Sequence, residues 1–457
     1  MKKIIALFLC VIMVLSLAAC AAKVETPAEV EKNEPAADTP KSEPAKEADP
    51  AASTDSSEVI TLNVTSWRTD DAASWGEINA AFHEEYPNIE VIFNGVTATE
   101  YDSVLQTKLA SGNAEDIIFL RAFSSGRQIF DAGYVLPLSE ENIPLLASNT
   151  SASQRNPWTT EDGTVYGVPG SMCVGGFFYN KGIFEKCGIT EAPATWEEFL
   201  ADCQTIKDNG YIAIADGIKD SWFVTEYISS TVAPVTTGGS DWHTALMNKE
   251  VDWSDEGFVK SMDWIKQMSE YMPDNFESIG YDDAQMLFLS EAAAIYPSGS
   301  FDLSYLETTN PDIDLGWFFM PTENAGDALA INFGMIMGYG INASLKDDEA
   351  KLQAAYTYLN WLCDDAASSM FDNLVVGQYA SNTAVASGIE NALAAEILAG
   401  FDGQDLYQQM PYEKVSDESP DFTTVVTEAI YNLLVNGQSS EEVCEKMVAD
   451  QAWYFGK

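Results

Sequence analysis

Histidine is almost missing from this chain: its 457 residues include only His83 and His243. A zinc site built on several imidazoles is thereby excluded, and a Ser/His/Asp triad has at most two candidate bases. Basic residues are scarce too, 23 Lys and Arg against 71 Asp and Glu, which sets the formal net charge at −48. A surface of that sign repels phosphate backbones and anionic membranes, so nucleic-acid binding is excluded. There is no Walker phosphate loop, no calcium-loop pattern and no Gly-x-Ser-x-Gly elbow. Gly334, Gly338 and Gly340 lack dinucleotide spacing and an acidic partner downstream. Carboxylates are so abundant that a glycosidase pair can be drawn anywhere, and none is singled out. No metal and no cofactor is expected.

What remains is apolar enough to fold: 46% hydrophobic and 11% aromatic, sufficient for two or three domains. The basic start Met1-Lys2-Lys3 leads into the apolar run Ile4 to Leu15 and the small residues before Cys20. Residues 1–19 read as a secretory signal, the run being short for a membrane span; an uncleaved anchor is the alternative. Leu17-Ala18-Ala19-Cys20 resembles the lipobox of bacterial lipoproteins. That resemblance implies lipidation at Cys20 and attachment to the cell membrane at its extracellular face, since two or more acyl chains anchor where one is marginal. Residues 20–57 hold five prolines and no aromatic residue, the composition of a disordered tether. Beyond the signal and Cys20, the cysteines are Cys173, Cys187, Cys203, Cys363 and Cys444. That odd number, without metal-ligand spacing, is expected to serve mainly as small buried hydrophobes.

The body starts at residue 58. Val59 to Val64 alternates as a strand; Trp75, Ile78, Phe82 and Tyr86 mark a helix face behind the N-cap candidates Thr69, Asp70 and Asp71. A second strand over 89–93, a helix over 100–110 and the apolar strand 116–120 follow, predicting a parallel α/β sheet. Further on, Thr195 to Glu198 forms a capping box; helices are expected over 257–271, 282–289, 347–363 and 423–434, and strands over 292–296 and 315–320. In parallel sheets ligands sit beyond the carboxyl ends of the strands, here Ser66-Trp67-Arg68 and Arg121-Ala122-Phe123. Trp67 with Arg68 and Asp70, Ser221-Trp222, and Gly299-Ser300-Phe301-Asp302 supply aromatic faces and bidentate polar groups suited to a sugar; ordinary packing is the other reading of each ring.

The ordered segments Gly163-Thr164-Val165-Tyr166-Gly167-Val168-Pro169, Phe178-Tyr179-Asn180-Lys181, Ala192-Pro193-Ala194-Thr195-Trp196-Glu197-Glu198-Phe199, Ala292 to Phe301 and Gly377-Gln378-Tyr379 resemble extracellular solute-binding proteins of bacterial ABC sugar importers, the group that includes maltodextrin-binding proteins. The resemblance implies a two-lobed periplasmic-binding-protein-like α/β fold with a hinge and a ligand cleft. Lobe one would be 58–167 plus 341–383, and lobe two 168–340 plus 384–457. It implies a monomeric binding protein, not an enzyme, that hands a mono- or oligosaccharide to ABC permease subunits. The candidate ligand set is Trp67, Arg68, Asp70, Arg121, Ser171, Trp222, Phe301, Asp302, Gly334 and Tyr379, of which the resemblance implies Trp67, Asp70, Arg121, Trp222 and Phe301 position by position. Where the maltodextrin proteins carry stacking tryptophans, this chain has Leu120 and Phe301. Arg121 and Arg127 are conspicuous in a body with 17 basic residues, once the two lysines of the signal and the four of the tether are set aside. Their ordinary role is pairing with surface acids; the sharper one is a carboxylate-bearing ligand such as a uronic sugar. The rivals are a lipid-anchored glycoside hydrolase, or a binding protein for a peptide, polyamine or organic anion.

Overall fold

The computed structural model describes residues 59–382, 388–410 and 414–456. The signal, Cys20 and the tether lie outside the described residues, as do residues 383–387, where the expected boundary between lobe one and the last part of lobe two falls. The predicted opening is present: β1 (Ile60–Ser66), α1 (Ala72–Glu85), β2 (Ile89–Gly95), α2 (Tyr101–Ser111), β3 (Ile117–Leu120) and α3 (Phe123–Asp131). β1 pairs in parallel with β2 on one side and β3 on the other. α1 buries Trp75, Ile78 and Phe82, the stripe its spacing defined. Thr195 closes a capping box on α4 (Trp196–Asp208). The expected helices correspond to α5 (Glu256–Ser269), α6 (Tyr281–Leu289), α7 (Glu349–Leu362) and, later, α9 (Phe422–Leu434); α8 (Asp365–Leu374) lies between the last two.

Two long strands, neither foreseen in the sequence, organise the whole molecule. β4 (Val168–Asn180) and β8 (Ala330–Ile341) run antiparallel, from Val168 opposite Tyr339 to Val174 opposite Phe333. The far end of β8 pairs with β3, and its near end runs parallel to β10 (Asp405–Gln408). The far half of β4 pairs with β6 (Ala293–Gly299) and β7 (Leu315–Phe318), while β5 (Ile212–Ile214) runs parallel to β6. The short β9 (Tyr379–Ala380) adds to β4 at Ser171 and Met172, where the register of β4 shifts. The main path is therefore β2-β1-β3-β8-β4-β6-β5 within a ten-stranded sheet.

Hydrophobic cores form at either end of these crossing strands. One gathers residues from Leu62 to Val168 and again from Met335 to Val375. The other end holds two clusters, drawn from Cys173 to Ile331 and from Tyr379 to Tyr454. The fold is thus two α/β lobes sharing strands that pass from one sheet into the other. Cys173, Cys187, Cys203, Cys363 and Cys444 are free thiols, all but Cys187 buried. Among the described residues no helix is long and apolar enough to cross a membrane.

Candidate ligand-binding site

β1 delivers its last residues to the junction between the lobes. Ser66 Oγ accepts the Arg68 N–H at 2.9 Å and turns the chain. Arg68 then grips Asp71 with two donors, Nε at 2.6 Å and Nη2 at 3.2 Å. Asp71 stands at the N-cap position of α1, yet its carboxylate caps no helix N–H. Instead it accepts a second partner, Gln378 Nε2 at 2.8 Å, while Gln378 Oε1 accepts from Ser171 Oγ at 2.9 Å. Arg68, Asp71, Gln378 and Ser171 are 8%, 3%, 1% and 0% exposed, so this is a buried network rather than a surface ion pair. Burial alone would discharge Arg68, but the charge and hydrogen bonds of Asp71 outweigh it and hold the guanidinium more firmly protonated than usual. The guanidinium lies 5.1 Å from the centre of the Phe301 ring, which belongs to the other lobe.

Phe301 and Asp302 follow the carboxyl end of β6. Asp302 accepts hydrogen bonds from Tyr281 Oη (2.5 Å), Gln285 Nε2 (3.1 Å), Tyr296 Oη (2.7 Å) and Ser298 Oγ (2.5 Å). Burial pushes its carboxyl up, against the pull of Ser298, Tyr281, Tyr296 and Arg68. Trp222 is half-buried and meets Tyr281 edge-on at 5.0 Å and Tyr227 at 6.2 Å; Tyr227 in turn meets Phe301 at 5.4 Å. These rings form a continuous aromatic wall on lobe two.

A widened helical turn sets the direction of that wall. Residues 221–237 are helical, but Val224–Ser229 is a π-helix, the kind of local widening often found at functional sites. The Glu226 carbonyl accepts from Asn332 Nδ2 at 2.8 Å and Gln409 Nε2 at 3.4 Å, which fastens this turn to β8 and to the segment after β10.

Trp67, Arg68, Arg121, Ser171, Trp222, Phe301 and Asp302 are therefore brought to one region by contacts running from lobe to lobe. Arg121 stacks over Trp67 at 4.6 Å and directs Nε to both Asp102 oxygens at 3.0 Å. Asp70 projects from the same loop as Arg68; partial burial raises its carboxyl, Arg68 opposes that, and Asp71 and Asp282 add to it. Two members of the set fall elsewhere. Tyr379 is buried in the core of lobe two, its hydroxyl donating to the Ala394 carbonyl at 2.9 Å and its ring 5.3 Å from Phe401. Gly334 is covered by the side chain of Gln409. Asp71, Gln378, Tyr281 and Tyr227 are the residues sequence reasoning passed over. Gln378 is the neighbour of Tyr379 in the same family segment, and Asp71 in sequence is one of the N-cap candidates of α1.

Two lobes bridged by shared strands, with an aromatic wall facing a buried guanidinium across their junction, define a bilobal solute-binding architecture. Residues 65–368 match the family model described as bacterial extracellular solute-binding protein, and the chain belongs to that family. A multiple sugar-binding protein of Streptococcus mutans is 24% identical over 294 residues, 62% of this chain and 67% of that protein. An alpha-glucosides-binding periplasmic protein of Rhizobium meliloti is 22% identical over 74% of this chain and 78% of its own length. An extracellular-binding protein of an ABC transporter in Pyrococcus horikoshii is 27% identical, and the chain spans about half of its length, 47%. Among solved structures, a chitin oligosaccharide binding protein superposes with a TM-score of 0.72 at 21% identity, over 87% of this chain and 100% of that one. A raffinose-bound solute-binding protein superposes at 0.68 and 20% identity, over 87% and 100%.

Proposed function

We propose that this chain is the solute-capturing component of an ABC importer and that its ligand is an uncharged mono- or oligosaccharide held between the lobes. The observation that carries this reading is the wall of Trp222, Tyr227, Tyr281 and Phe301 on lobe two opposite Arg68 on lobe one. Aromatic faces suit the C–H face of a sugar ring, and a held guanidinium suits its hydroxyl oxygens. Arg68 Nε and Nη2 are committed to Asp71; no hydrogen bond from Nη1 is found among the described residues, which leaves that end for a ligand. The sugar-binding names of several relatives point the same way.

The uronic-sugar reading loses ground on this geometry. Arg68 is neutralised by Asp71 and Arg121 by Asp102, while Asp70 and Asp282 add negative charge beside the site. An anionic ligand would have to displace or overcome these carboxylates. Turnover is not part of the proposal: all the contacts of Asp302 are donors that occupy its carboxylate oxygens, which leaves it poorly placed as an acid or nucleophile.

By this reading the lobes follow the division 58–167 with 341–383 and 168–340 with 384–457, with exchanges at the crossings: Met335, Met337 and Tyr339 pack into the core of lobe one, and Tyr379 into that of lobe two. Ligand touches both lobes only when they close, so binding shifts the population toward closure, and the closed monomer docks on its permease. Lipid on Cys20 would keep the protein at the membrane; the intact mass of protein extracted from its native host checks this, an unmodified Cys20 counting against it. Calorimetric titration with neutral saccharides tests the function itself. Saturable binding without change to the sugar is expected, and hydrolysis products or indifference to all sugars would refute it.

A further inference from the structure

Residues 377–382 cross between the lobes and are held by each in turn. The Gly377 carbonyl accepts from Ser300 Oγ of lobe two at 2.6 Å, and that oxygen accepts the Val174 N–H of β4 at 3.2 Å. Gln378 reaches lobe one through Asp71, and Tyr379 returns to lobe two through the Ala394 carbonyl. Asp372 of α8 then takes the Ala380 N–H, and Asn382 Nδ2 donates to the Cys363 carbonyl at 3.2 Å and to Asp365 Oδ1 at 2.8 Å, all in lobe one. Successive side chains of an extended segment point to opposite sides, which lets Gln378 and Tyr379 face different lobes. Gly377 fixes where the alternation starts: its φ is 89°, and a Cβ there would collide with the Ser300 carbonyl.

Gln378 is the residue of this segment that leads to the ligand-facing guanidinium. An ionised Asp71 can only accept, so the amide turns Nε2 toward it and leaves Oε1 for the Ser171 hydroxyl. Asp71 Oδ2 therefore holds Gln378 Nε2 and Arg68 Nε together, and its Oδ1 holds Arg68 Nη2. The result is an unbroken chain, Ser171–Gln378–Asp71–Arg68, from a crossing strand to the guanidinium beside Phe301. Ser171 lies where the pairing of β4 with β8 slips on both sides, between Pro169 and Ser171 and again before Met172. Such irregularities are where a strand bends. All four side chains are buried, so none can exchange its partner for water, and displacement at one end is passed to the other.

We infer that Gln378 is a positioning residue for ligand capture: without touching the ligand, it aims Arg68 through Asp71 according to the angle between the lobes. The inference rests on the saccharide-binding function proposed above and adds how closure reaches the site. Rotation of the crossing strands moves Ser171, and the Gln378 amide follows. Asp71 then turns the guanidinium so that its Nη1 end meets a saccharide hydroxyl only in the closed protein. The Arg68 contact thereby favours the closed state alone.

The test is a pair of double-mutant cycles, read by calorimetric titration of the full chain. Neutral gluco-, xylo- and galacto-oligosaccharides of one to four units are compared first, and the one that binds the wild type most tightly is used throughout. Gln378→Met keeps the length of the side chain and removes both of its polar ends. It is expected to weaken binding at least tenfold in the wild type, but less than twofold in an Arg68→Met/Asp71→Leu background, where the amide has nothing to aim. The rise in Tm at high saccharide concentration replaces titration wherever binding is too weak. In the second cycle, Ser171→Ala/Gln378→Met is expected to bind within twofold of Gln378→Met alone, because the two residues act in series. A role in packing alone would give losses that add. No loss in Gln378→Met, equal losses in both backgrounds, or summed losses in the second cycle would overturn the inference while leaving saccharide binding intact. Failure of the wild type to bind any saccharide would overturn both.

Discussion

Asp71 sits where an aspartate ordinarily caps a helix, but its oxygens are taken by Arg68 and Gln378. Losing a cap costs about 1 kcal/mol, whereas stranding a buried charge costs about 3–5 kcal/mol, so the second use dominates the energetics of this residue. Asp71→Ala is therefore expected to lower stability by about 3–5 kcal/mol in denaturant unfolding. Arg68→Met/Asp71→Leu removes both charges and is expected to recover most of that loss while leaving saccharide affinity reduced. Recovery of both would mean the pair serves packing only. Asp372 presents a different balance. It accepts the Ala380 N–H at 2.6 Å, and burial raises its carboxyl to about 7 against that hydrogen bond. The folded state thus holds this proton more tightly than the unfolded chain, whose aspartate titrates near 3.8. The protonated form favours folding below about 4, and that contribution is lost as pH rises through about 7. Asp372→Asn is expected to raise Tm at pH 8 and leave it unchanged at pH 4; an equal shift at both would contradict the assignment.

The elements legible in the sequence are those whose apolar spacing agrees with their final partners. β1, α1, β2, α2 and β3 show the periodicity of a parallel α/β unit, and the capping box at Thr195 marks α4 within a residue. β4 and β8 were not legible, because Gly170, Gly175 and Gly176 in one, and Gly334, Gly338 and Gly340 in the other, read as strand breakers. Their reason is contact rather than flexibility. A Cβ at Gly175 would come within 2.7 Å of Asn332 Nδ2 and Thr231 Oγ1, and one at Gly340 within 2.6 Å of Leu120. Large side chains from both lobes close onto these strands, and no local pattern reveals which ones. The candidate site was half legible for the same reason. Trp67, Arg68, Arg121 and Phe301 end strands, a position the topology rule identifies, whereas Tyr227 comes from a π-turn set by the remote residues Asn332 and Gln409. Gly175→Ala is expected to cost about 1–3 kcal/mol through overpacking. Urea unfolding measures this, and a neutral result would mean the strand shifts freely.

At the scale of the whole molecule, the body carries 62 acidic against 17 basic side chains, so its acidity is a property of the folded part rather than of the tether. Such a surface favours solubility and leaves few cations inside. The two arginines at the site are each matched by an aspartate, Arg68 by Asp71 and Arg121 by Asp102. By the function proposed above, the cleft presents rings, held donors and a negative surround, the combination that the proposal matches to neutral polyhydroxylated ligands rather than acidic ones. Ligand bound only by the closed, folded state also raises Tm, by an amount that grows with its concentration over Kd. The most direct check is calorimetric titration of wild type and Trp222→Ala with the neutral saccharide that stabilises the protein most. The account requires saturable binding by the wild type and at least tenfold weaker binding by the variant, a difference of about 1.4 kcal/mol; equal affinities would contradict it.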